Sequence, residues 1–199
     1  MKSLILAIAI STISLTACNN AGDNSNNGNK MATDTTHVAT ETNKASTSSN
    51  ENTQSASSIN GIVSSYLQLK NALANDNGED AATAGSAMAS ALKGFDQSSL
   101  SADKKKTFED IQDDASEHAE HISMNGGNIK HQREHFETLS KDVYDLVKTF
   151  DANQTLYKDF CPMYNNNKGA NWLSETKEIK NPYLGKKMAT CGEVKETIQ

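Results

Sequence analysis

The chain has 199 residues, a formal net charge of −6, 22% charged residues and only 2 prolines. A mild acidic balance of this kind excludes a nucleic-acid surface built on basic residues and leaves no basic patch for anionic lipid. The sequence predicts no strand of consequence, since no segment sustains a period-two alternation.

Lys2 and the apolar run at residues 4–13 form a short positive start and a hydrophobic core too brief to span a bilayer, as in a signal peptide. The run ends in Leu15-Thr16-Ala17-Cys18, which is similar to the bacterial lipobox. Residues 1–17 are therefore expected to be a lipoprotein signal peptide and Cys18 the lipidated new N-terminus. Asn19 after the cysteine favours the outer membrane, with the protein facing the periplasm. Residues 18–57 carry almost no large apolar side chain, so the sequence predicts a disordered tether with no role for Met31 or His37. Residues 58–199 remain, about 140 residues, which is one domain by length.

Four amphipathic segments fill most of that domain. Ile59, Ile62, Val63, Tyr66, Leu69 and Leu73 recur at three and four residues, and 75–78 (Asn-Asp-Asn-Gly) ends the run, with Gly78 as the left-handed stop. Ala81, Ala84, Met88, Ala91, Leu92 and Phe95 make a narrow stripe that lets its helix lie close to a neighbour, with Met88 as a core filler. Ser101 is placed to cap a third helix whose stripe is Phe108, Ile111, Ala115, His118 and Ile122. After the turn Asn125-Gly126-Gly127-Asn128, a fourth runs through Ile129, Gln132, Phe136, Leu139, Val143, Leu146, Val147 and Phe150. Short links imply antiparallel neighbours, so the expected fold is all-α: an up-down-up-down four-helix bundle with an irregular C-terminal tail packed on it.

His118, His121, His131 and His135 straddle the Gly126-Gly127 turn. Each pair shares one side of its helix, and the two pairs lie at matching heights in an antiparallel hairpin, so the imidazoles could converge. The competing reading is a solvated surface, because Glu117, Glu120, Glu134 and Glu137 surround them. A histidine cluster suits zinc or copper(II).

The tail, 157–192, holds both prolines, the only tryptophan and the remaining cysteines. Cys161 with Met163, and Met188 with Cys191, form a mirrored Cys/Met pattern whose thiolate and thioether donors suit copper(I) or silver(I). Trp172, Tyr164 and Tyr183 could shield such a site. A Cys161–Cys191 disulfide is the alternative for an even pair in an oxidising compartment. An enzyme is not expected: the chain has no nucleophile elbow, no phosphate-cradling glycine loop and no Glu-x-x-His pair of a di-metal bundle.

Several stretches carry a family resemblance: 131–136 (His-Gln-Arg-Glu-His-Phe) with Leu139-Ser140; Tyr157 with Cys161-Pro162-Met163; 169–174 (Gly-Ala-Asn-Trp-Leu-Ser); 181–185 (Asn-Pro-Tyr-Leu-Gly); and Met188 with Cys191-Gly192. Over residues 59–198 the chain resembles a bacterial domain of unknown function. That domain occurs in lipoproteins and at the C-terminus of periplasmic adaptor (membrane fusion) subunits of copper/silver-type RND efflux pumps. The resemblance implies a four-helix bundle with the tail folded against it and a link to copper or silver handling. The adaptor's barrel-sandwich, lipoyl-like and hairpin domains are missing here, so the resemblance implies a free-standing accessory. The expected function is an envelope lipoprotein that binds copper(I) or silver(I) and buffers it or hands it to an efflux system. The alternative is a structural or protein-interaction module of the envelope.

Overall fold

A computed structural model describes residues 51–199, with side chains from Ile59 onward. The expected signal peptide, the Cys18 lipidation site and residues 18–50 of the tether lie outside the described residues. Four helices come first: α1 (Glu51–Ala74), α2 (Gly78–Lys93), α3 (Ala102–Met124) and α4 (Ile129–Phe150). The backbone of α1 is thus helical from Glu51, ahead of the boundary expected at residue 58.

Side-chain oxygens start three of the helices. Asn77 accepts from Asp80 N, Ser101 from Lys104 N and Asn128 from His131 N, each satisfying an amide that has no partner within its helix. The first turn differs in detail from expectation. Asp76 takes the left-handed conformation (φ 56°), while Gly78 opens α2. Aspartate tolerates that region because its short polar chain bonds locally, and here Arg133 Nη2 donates to its carboxylate at 2.6 Å.

Each helix packs on the next, and α4 closes the bundle on α1. The small-residue face of α2 works as its composition suggests: a Cβ on Gly85 would stand 2.9 Å from Ala119 O of α3. The core is filled by Tyr66 stacked on Phe136 at 5.2 Å and by Phe95, Phe108 and Phe150 in mutual contact, and Met88 is fully buried.

The tail corrects the all-α expectation. It contains a three-stranded antiparallel sheet in the order β2-β1-β3, built from β1 (Leu156–Cys161), β2 (Ala170–Ser174) and β3 (Glu193–Ile198). The strands hide from a period-two search for physical reasons. β1 leaves both Tyr157 and Lys158 half-buried between buried Leu156 and Asp159, β2 buries Trp172, Leu173 and Ser174 in succession, and β3 is charged, mostly exposed and bulged at Lys195 opposite β1.

Between β1 and β2 the chain turns through Asn165, Asn166 and Asn167, all left-handed, with φ of 51°, 56° and 65°. The sheet is fixed to α1 and α4 by specific polar contacts. Leu173 N donates to Tyr66 Oη at 3.0 Å, Lys70 pairs with Glu175 at 2.8 Å, and Tyr144 and Lys148 both donate to Glu196. Arg133 donates to Pro182 O and Leu73 O, both at 2.7 Å, joining the tail to the end of α1. Gly185, with φ +56°, lets the tail backbone pass over this junction, where any Cβ would collide with the Asp76 carboxylate.

Candidate metal centre

The α3–α4 hairpin is held at its turn by side chains that flank the histidines. Asn125 Nδ2 donates to His121 O at 2.7 Å, and Gln132 Nε2 donates to Ile122 O and to Gly78 O. With the turn fixed, the imidazoles meet across the two helices. His118 Nδ1 and His135 Nδ1 stand 2.8 Å apart, and His135 Nε2 and His131 Nε2 stand 3.1 Å apart. His121 stacks on His135 with ring centroids 4.5 Å apart and planes at 10°. One nitrogen from each of His121, His131 and His135 falls within a 4.8 Å group. Nitrogens 2.0–2.1 Å from a tetrahedral ion stand roughly 3.3 Å apart, so the His131–His135 spacing needs little adjustment to hold one.

Carboxylates border the rings. His131 Nδ1 lies 3.3 Å from Glu134, and His121 Nε2 lies 3.7 Å from Glu117. His135 is supported at one remove: its Nδ1 meets His118 Nδ1, and His118 Nε2 lies 3.5 Å from Asp114. If His135 Nε2 faces an ion, its Nδ1–H donates to His118 Nδ1, which places the His118 proton on Nε2, toward Asp114. A ligating histidine is ordinarily oriented this way, through a carboxylate on its other nitrogen. Burial first, then repulsion from His121, His131 and His118, holds His135 below the ordinary imidazole range. This favours the neutral form, the one that ligates.

Farther along the same flank of α4, Asp142 keeps one carboxyl oxygen buried with no hydrogen-bond partner. Burial first, then Asp114 and Asp145, raise its pKa to about 7.

The sulfur residues gather elsewhere. Cys161 ends β1, fully buried, and its Sγ lies 3.2 Å from Sγ of the half-buried Cys191. Met163 is 51% exposed in the turn after Pro162, and Met188 closes a 3-10 turn whose carbonyl accepts from Cys191 N. Among the described residues, no His, Asp or Glu joins the two cysteines in a group of three that could hold an ion. Of the shielding aromatics, Trp172 and Tyr183 are buried and pack edge to face, and Tyr164 stacks on Tyr183 at 4.4 Å.

Imidazoles and sulfurs do not meet. Arg133 and Glu137, which bond the tail, lie roughly 200° around α4 from His131 and His135, at about 100° per residue. Asp114 is a site residue the sequence reading did not single out. The signal was its spacing four residues before His118, one helical turn away.

No curated protein and no solved structure matches the chain. The resemblance stated from the sequence reached through the tail, whereas the matched segment stops one residue before β1 and contains all four imidazoles. That segment, residues 62–155, matches the family model described as "Protein of unknown function (DUF3347)".

Proposed function

We propose that the domain binds a divalent transition-metal ion, zinc or copper(II), through His121, His131 and His135. On this reading it serves the cell envelope as a lipid-anchored accessory that buffers the ion or passes it to an efflux system. The observation that carries the reading is the oriented imidazole set. Three ring nitrogens fall within 4.8 Å, with Glu117 beside His121, Glu134 beside His131, and Asp114 reaching His135 through His118. Three imidazoles with an open fourth position suit a borderline ion that also takes water or a partner's ligand. That open position is what a protein needs to give its ion away.

The copper(I) or silver(I) reading at Cys161, Met163, Met188 and Cys191 is placed second, because the two cysteine sulfurs stand 3.2 Å apart, closer than two thiolates that share an ion. The envelope and efflux parts of the proposal rest on the lipobox-like start and on the family resemblance.

The test is a zinc titration of the full chain against a chromophoric chelator. Wild type is expected to take up one ion per chain. His121→Ala and His135→Ala are each expected to weaken binding at least about 100-fold, since each removes a ligand. His118→Ala, which removes only the support, is expected to cost about 10- to 100-fold. Equal affinity in all four proteins would overturn the proposal.

A further inference from the structure

Cys161 and Cys191 lie 30 residues apart, yet their sulfurs are 3.2 Å apart. Two thiolates sharing one tetrahedral ion at about 2.3 Å would stand roughly 3.8 Å apart, and farther in a linear site. The observed spacing is already too short for an ion between them, and bond formation needs only further approach. The two thiols also differ in access: Cys161 is 0% exposed at the inner end of β1, while Cys191 is half-buried at the lead-in to β3.

We propose that Cys161 and Cys191 form an ordered-entry disulfide, in which Cys191 meets the oxidant and buried Cys161 completes the bond. The Cys191 thiolate attacks one sulfur of a small disulfide R–S–S–R, giving a mixed disulfide and one RS⁻. The Cys161 thiolate then attacks the Cys191 sulfur and expels the second RS⁻. Two protein S–H bonds and one S–S bond are lost, and one protein S–S bond forms. Two electrons pass to the oxidant, and the two protons end on two RSH molecules.

The surroundings favour a structural bond over a redox catalyst. Contact with Cys161 first, then burial, pushes the Cys191 thiol up from its ordinary value, the opposite of an activated catalytic cysteine. The site is also built to hold the pair in place. Asn181, itself fully buried, donates from Nδ2 to Cys191 O at 2.6 Å and accepts from Tyr183 N and Leu184 N. Gly192 follows with φ +147°, and a Cβ there would stand 2.8 Å from the Trp172 ring. The ring closed by the bond contains β2, Trp172 and Tyr183. It also ties down β3, whose residues are mostly exposed.

The test treats reduced full-chain protein with oxidised glutathione and reads intact mass, the reference and every variant carrying Cys18→Ser so that only Cys161 and Cys191 offer thiols. The reference is expected to lose about 2 Da and retain no glutathione. Cys161→Ser is expected to trap one glutathione on Cys191, whereas native Cys191→Ser takes up none. Reducing the bond in the reference is expected to lower the melting temperature by about 10 °C and to speed amide exchange across β3. This comparison needs no change at Cys161 or Cys191 and stands even if Cys161→Ser fails to fold. Thiols that stay free, thiols protected by a bound ion, or equal glutathione uptake by the two single variants would overturn the proposal. So would a bond whose reduction changes neither melting nor β3 exchange.

Discussion

Arg133 sits on α4 between His131 and His135 in sequence but on the opposite side of the helix. Its guanidinium reaches Leu73 O, Pro182 O and the Asp76 carboxylate, and its side chain is only 13% exposed. Arg133→Met takes the donor from Pro182 O and the charged partner from Asp76, while Leu73 O keeps Asp76 N, and is expected to cost about 3 kcal/mol in a urea melt. The Asp76 carboxyl, held below its usual range chiefly by Arg133, should return toward it in that variant.

A second residue-scale expectation concerns two buried acids. Asp159 has both carboxyl oxygens buried without a partner, and burial lifts its pKa from 3.8 to about 7 against the pull of Lys70. Asp142 is raised to about 7 as well. Folding favours the protonated form of both groups. Their contribution is therefore complete below about pH 4 and is lost as pH rises toward 7. Asp159→Asn is expected to be more stable than wild type at pH 8 and to flatten the stability profile between pH 5 and 7. Denaturant melts across that window check the sign, and an unchanged slope would contradict it.

Among the elements, the helices were legible because each writes its buried face at a spacing of three and four residues, and because Ser101 and the 125–128 turn mark real ends. The hairpin placed His118 opposite His135 for the same reason, since equal distances from a turn become equal heights in antiparallel helices. The strands were not legible because their order comes from partners far along the chain. Leu173 is held by Tyr66 Oη, and Glu196 by Tyr144 and Lys148. Three left-handed asparagines at 165–167 were a readable turn signal, because asparagine enters that region more readily than most residues. Tyr66→Phe keeps the ring stack on Phe136 but leaves the Leu173 amide without its acceptor. It is expected to cost about 1–3 kcal/mol and to raise exchange at that amide while the helices stay protected.

At the scale of the whole molecule, the bundle offers imidazoles on one flank of α4 and takes the tail on the other. The tail is pinned by Arg133, by Tyr66, by the Lys70–Glu175 pair and by Glu196, among other contacts. Lys70 is fully buried, so removing its partner strands a charge. Glu175→Ala is expected to destabilise the chain by about 3 kcal/mol in a thermal or urea melt. Because the two flanks share no residue, metal binding and thiol oxidation should be independent. Cys161→Ser with Cys191→Ser should leave zinc affinity unchanged, and His135→Ala should leave cysteine oxidation unchanged.

The proposed imidazole site is tested most directly by zinc K-edge X-ray absorption on the zinc-treated full chain. Three imidazole nitrogens with one further nitrogen or oxygen at about 2.0–2.1 Å, and no sulfur, is the expected result. A sulfur shell at about 2.3 Å, or a chain that retains no zinc, would contradict it.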